Sequence, residues 1–92
     1  MAGWYLKKPI GVQAVEFTKH NIDEVLEFIY PKSSVDERTE MKNKIIRDGK
    51  IYILTLEGTM GANYGDYIAK GVLGEYYPIN GEVFRKSYDK IK

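Results

Sequence analysis

Glycine recurs at positions 58, 61, 65, 71, 74 and 81, with apolar or aromatic residues in between. Each glycine inside a helix costs about 1 kcal/mol relative to alanine, so intervals this short leave room only for strands joined by tight turns. The spacing predicts strands at about 59–62, 66–70 and 75–77, with Gly71-Val72-Leu73-Gly74 as one turn and the whole as an antiparallel meander. After Pro78, Asn80 is positioned to cap a last helix. In that helix Phe84, Tyr88 and Ile91 recur at helical spacing beside Val83, a stripe expected to dock on the sheet.

The first half reads differently. Residues 12–17 alternate as Val-Gln-Ala-Val-Glu-Phe, a strand pattern after Pro9. Asn21 with Glu24 three residues on resembles a capping box, and Ile22, Val25, Leu26 and Ile29 then form one apolar stripe over two turns. Pro31 predicts the end of this helix near Tyr30. Residues 32–43 are polar, with Val35 and Met41 as apolar anchors. They form either a short helix opened by Ser33-Ser34 or a loop, and the helix is preferred. Asp48-Gly49 is a two-residue hairpin signal that would join residues 44–47 to a strand over 50–56.

These pieces assemble into an α+β domain: a small twisted antiparallel sheet of five to six strands, open or curled into a half-open barrel, with two to three helices on one side. The 92 residues fit one domain, 1–92, since a second core would need roughly 50 more. So small a domain buries only about 60% of its unfolded surface, which makes a homo-oligomer an expectation.

Composition narrows the chemistry. Fourteen basic residues against 13 acidic ones force no basic face, so there is no strong nucleic-acid signal. No cysteine is present to build a disulfide or a thiolate metal site. No run approaches the roughly 20 apolar residues of a membrane span, and the opening lacks a signal-peptide stretch, which sets a cytoplasmic expectation.

The segments Thr55-Leu56-Glu57-Gly58-Thr59-Met60 and Gly65-Asp66-Tyr67-Ile68-Ala69-Lys70-Gly71-Val72-Leu73-Gly74-Glu75-Tyr76-Tyr77-Pro78, followed by Phe84 and Tyr88, carry a resemblance. They resemble an uncharacterised family of small phage and prophage proteins with the signature G-D-Y-I-x-K-G-x-x-G-E-x-Y-P. Lys7-Lys8-Pro9-Ile10 and the strand after it look like that family's opening. The likeness lapses over 31–47, which reads as a variable charged insertion, and after Pro78, where Ile79-Asn80-Gly81-Glu82 departs from the family's helix entry. The resemblance implies a phage or prophage origin, hence the host cytoplasm, and no named activity.

Among candidate residues, Asp66 lies at the centre of the signature, where aspartate serves either a turn or a ligand site. The ligand reading groups Tyr64, Asp66, Tyr67, Lys70, Tyr76 and Tyr77, with Arg47 from a basic edge. That edge holds Arg38, Lys42, Lys44, Arg47 and Lys50 against Glu40 and Asp48, five cations to two acids, and could meet an anion. The tyrosines could stack a base or pair across strands. Gly71-Val72-Leu73-Gly74 matches a bare G-x-x-G, but its flanks read as strands. The glycines match neither a P-loop nor a dinucleotide fingerprint. His20 is the only histidine and reads as an exposed helix-entry residue, while Asp36, Glu37 and Glu40 read as a solvated face.

The expectation is therefore a non-enzymatic phage accessory protein without cofactor, metal or catalytic residues. It would act by binding, in host interference or counter-defence, by gripping a host protein or sequestering a small anionic nucleotide. A virion or assembly component is the alternative, and a small enzyme with perturbed carboxylates around Asp66 the second.

Overall fold

The structure is a computed structural model that describes residues 2–6, 8 and 10–91; Lys7 and Pro9 of the opening motif lie outside them. Strand β1 (Gln13–Glu16) leads into α1 (Ile22–Ile29), whose apolar stripe Ile22, Val25, Leu26 and Ile29 is entirely buried. The turn between them is held by Asn21, but not as the expected cap. Its Oδ1 accepts from the Thr18 amide (2.8 Å) and hydroxyl (2.9 Å), and its Nδ2 donates to the Glu16 carbonyl (2.6 Å) and to Glu24 (3.0 Å). The side chain clamps the strand exit and leaves the first-turn amides uncapped. Helix α1 ends as expected before Pro31, with the Tyr30 amide on the Leu26 carbonyl at 2.7 Å.

Helix α2 (Val35–Asp48) does carry a capping box: the Glu37 amide donates to Ser34 Oγ, and the Ser34 amide donates to the Glu37 carboxylate. It runs through the residues that the Asp48-Gly49 signal had assigned to a strand. Asp-Gly suits two different structures, a hairpin turn or a helix end with a left-handed glycine after it. Here Gly49 has φ +69° as the C-cap and its amide returns to the Ile45 carbonyl at 2.8 Å, so the helical register from Ser34 prevails. The 31–47 segment is thus part of the fold, since Ile45 is buried in the core and Met41 packs against it. Arg38–Glu27 and Lys42–Asp23 ion pairs, both 2.8 Å, bridge α2 to α1.

Strands β2 (Lys50–Thr55) and β3 (Gly58–Asn63) form a hairpin with Ile51 opposite Ala62 and Ile53 opposite Met60. Strands β4 (Tyr67–Lys70) and β5 (Tyr76–Ile79) form another, joined through the expected turn, in which the Gly74 amide donates to the Gly71 carbonyl. Strand β1 pairs antiparallel with β4, giving a three-stranded sheet of order β1-β4-β5 beside the two-stranded β2-β3. The fold is α+β with five antiparallel strands and three helices; the strands form two sheets that do not close, rather than one meander. The hairpin lies against β5. Phe17, Val25, Leu26, Ile53 and Ile68 fill the centre where the sheets, α1 and α2 meet.

Helix α3 (Gly81–Ser87) is capped by Asn80 as expected, its Oδ1 accepting from the Glu82 and Val83 amides. It is shorter than its apolar stripe suggested. Phe84 stacks on Tyr67 (4.0 Å, 13°) and on Tyr88 (4.7 Å, 16°), whereas Val83 and Ile91 are exposed. Strand alternation puts Tyr67 on the face opposite Ile68, so α3 docks across the sheet from α1.

Candidate functional site

The seven residues nominated from sequence do not converge on one cavity. Asp66 spends both carboxylate oxygens on the backbone: Oδ2 accepts from the Asn63 amide at 2.9 Å and Oδ1 from the Gly81 amide at 3.2 Å. Tyr64 packs on Phe17 with ring centroids 4.9 Å apart, and Tyr67 is stacked on Phe84. Lys70 Nζ lies 5.8 Å from the Tyr76 ring, which itself meets Phe28 edge-on at 5.5 Å. Tyr77 is on the opposite face of β5 from Tyr76, beside Thr55 and Met60. Arg47 projects from the last turn of α2, with its Nε on Asp48 at 3.1 Å. Lys70 and Tyr76 are brought together; Arg47 is apart from all six.

A better-formed site lies where α1, α2 and β2 meet. On α2, Met41, Lys44, Ile45 and Asp48 fall at i, i+3, i+4 and i+7 and therefore share a face. That face looks onto the end of α1 at Leu26 and Tyr30 and onto β2 at Lys50, Ile51 and Tyr52. Between them is a pocket of about 190 Å³. Leu26, Ile45 and Ile51, all buried, make its apolar floor and the half-exposed Tyr30 its aromatic wall; Tyr52 borders it from the outward face of β2, where its ring lies across Gly61.

The rim is electrically asymmetric. Asp48 is engaged by Arg47, while Lys44 and Lys50 form no ion pair with any described residue. Lys50 Nζ lies 6.0 Å from the Tyr52 ring centroid, at the outer limit of a cation–π contact. A wider, shallower depression shares Tyr30, Met41 and Lys44 and extends over Pro31, Lys32 and Ser33 to Glu37 and Glu40, so the unpaired positive charge is concentrated at the deep end. Pocket and depression form one groove, deep at one end.

The chemistry this arrangement favours is recognition of an apolar group with a neighbouring negative charge. Drug-sized ligands occupy pockets of about 300–1,000 Å³, so the deep end suits a single aromatic or aliphatic side chain better than a whole nucleotide. Near its mouth, Glu37 is drawn below the ordinary carboxyl value of 4.5, chiefly by the hydrogen bond from the Ser34 amide, and stays charged as the helix cap. Among the described residues, no group of three or more His, Cys, Asp or Glu is placed to hold a metal ion. No described helix is long and apolar enough to cross a membrane.

The basic edge was visible in the sequence as Lys44 and Lys50, but Tyr30, Met41 and Tyr52 were missed. Extending α2 to Asp48 is what aligns 41, 44, 45 and 48, and the hairpin reading of Asp48-Gly49 had broken that alignment. Comparison with known proteins brings no relative: no family model, no curated protein and no solved structure matches this chain.

Proposed function

We propose that the protein acts by binding, gripping an acidic segment of a host protein through the groove between α1, α2 and β2. The observation that carries this reading is the pairing of an apolar pocket walled by Tyr30 with two cations at its rim, Lys44 and Lys50, that have no acidic partner among the described residues. Desolvating an aromatic anchor supplies most of the affinity in such sites, and the flanking charges steer encounter and fix register. The pocket's volume favours a protein segment over a sequestered nucleotide. The phage or prophage setting, the host cytoplasm and a role in host interference or counter-defence rest on the resemblance of the Gly65–Pro78 signature and belong to the same proposal.

A fluorescent pentapeptide of sequence Asp-Glu-Phe-Glu-Asp serves as the probe. Fluorescence anisotropy at low ionic strength is expected to show saturable binding that weakens with salt. Lys44→Glu with Lys50→Glu, or Tyr30→Ala, should abolish it, while far-ultraviolet circular dichroism checks that each variant keeps its fold. The reading is wrong if the Lys-Lys-Phe-Lys-Lys peptide binds equally well, or if the charge reversals leave affinity intact.

The alternative, an assembly component, is favoured by one observation of its own: Trp4, Tyr5 and Leu6 are fully exposed. Residues of this kind are what a packed particle would cover.

A further inference from the structure

Among the described residues, two uncovered apolar surfaces stand out, and of their residues only Tyr52 borders the groove. The first is the N-terminal arm. Trp4, Tyr5 and Leu6 are 103%, 89% and 97% exposed, and the described residues before β1 form no helix or strand. The radius of gyration, 14.6 Å, exceeds the roughly 12 Å expected of a compact chain this long. One axis is 49 Å against 24 Å for the others.

The second is the outward face of the β2-β3 hairpin. Tyr52 and Leu54 point away from the core there, 52% and 78% exposed, while Leu56 in the turn borders Met60, Tyr77 and Pro78. Gly61 is directly opposite Tyr52, and a Cβ added at Gly61 would lie 3.4 Å from the Tyr52 ring. The ring therefore lies across the glycine and gives the face a flat apolar platform.

We propose that these two surfaces cover each other in a symmetric dimer, the arm of each copy lying across the β2-β3 hairpin of its partner. Each chain carries one arm and one platform, so reciprocal exchange closes on a two-fold axis and leaves nothing to propagate. Aromatic side chains bury about 150–250 Å² each, so Trp4, Tyr5 and Leu6 together remove on the order of 500 Å² per arm. Two exchanged arms thus remove about 1,000 Å² themselves, and the exposed parts of Tyr52 and Leu54 on the two platforms bring the total into the standard range of about 1,200–2,000 Å² for stable interfaces. A domain this small has much stability to gain from such a partner. The dimer would cover Tyr52 at the border of the groove, so its test uses variants at Trp4, Leu6 and Leu54, none of which lines the groove.

Sedimentation of the full chain over a wide concentration range tests it, with Trp4, the only tryptophan, reporting its own burial by fluorescence. Wild type is expected at twice the 10.6 kDa chain mass with blue-shifted emission. Trp4→Ser with Leu6→Ser, and separately Leu54→Lys, should each return to the single-chain mass. Mixing these two variants should restore a weaker dimer, visible at the highest concentrations, because one of the two arm–platform contacts is then intact. The proposal is overturned if wild type is a monomer at every concentration, if Leu54→Lys leaves the dimer intact, or if the mixture stays monomeric. A monomer with blue-shifted Trp4 would show the arm folded onto its own chain and overturns it equally.

Discussion

The backbone amide of Gly81 donates to Oδ1 of Asp66 at 3.2 Å, joining the first residue of α3 to the turn before β4. The other oxygen of Asp66 holds the Asn63 amide, the Asp66 carbonyl accepts from Phe17, and Gly65 donates to the Phe17 carbonyl. The Gly65-Asp66 step thus ties β1, β3, β4 and α3 at one point, which gives the centre of the sequence signature a structural role.

Asp66→Ala removes the acceptor of two backbone amides. Hydrogen bonds to charged groups contribute about 1.5–3 kcal/mol each when buried, and partial exposure reduces this, so a total loss of about 2 kcal/mol is expected. Asp66→Asn keeps one acceptor oxygen and should lose about half as much. Urea unfolding of both variants checks the ordering.

Gly81→Ala is expected to be worse than Gly49→Ala, although only Gly49 has a positive φ. A Cβ at Gly81 would fall 2.1 Å from the Gly65 carbonyl oxygen, backbone that cannot swing aside, so α3 must shift at a cost of about 2–3 kcal/mol. At Gly49, with φ +69° and open space around it, alanine faces only the left-handed penalty of about 1 kcal/mol. Comparing the two melting temperatures is sufficient.

Ser34→Ala opens the capping box and should destabilise α2 by about 1 kcal/mol. Glu37 gives the box a pH dependence. Its carboxyl titrates lower in the folded chain than in the unfolded one, so its contribution is fully present above the ordinary value of 4.5 and is lost as pH falls through the lower folded value. Ser34→Ala keeps the Ser34 backbone amide that is the larger cause, so the pH dependence is read from Glu37→Gln, whose stability gap from wild type should hold at neutral pH and narrow on acidification below 4.5 in denaturation at a series of pH values.

Phe84→Leu keeps most of the apolar area but removes a ring from between Tyr67 and Tyr88. Aromatic pairs are worth about 0.5–1.5 kcal/mol beyond burial, so a loss of about 1 kcal/mol is expected. The near-ultraviolet circular dichroism of the tyrosines should fall with it.

Local signals were legible where one element explained them: the Ile22–Ile29 stripe, Ser34 and Asn80 as caps, and the 71–74 turn. They failed where two structures share a signal. Asp48-Gly49 suits a hairpin or a helix end, and only the register carried from Ser34 through Met41 and Ile45 decides between them. Asn21 kept its capping composition but bonded backward to Thr18 and Glu16. The pairing of β1 with β4, some fifty residues apart, has no local signature, and neither does the break between the sheets. The groove was hidden for the same reason: its walls come from three elements, and the last turn of α2, residues 44–47, was read as a strand.

The groove between α1, α2 and β2 is the core of the functional account, and amide chemical-shift mapping with the Asp-Glu-Phe-Glu-Asp peptide addresses it most directly. The account predicts a contiguous set of shifts at Tyr30, Met41, Lys44, Lys50 and Tyr52 that saturates with peptide. Shifts confined to Asp66, Tyr67 and Lys70, or none at the highest peptide concentration, would contradict it.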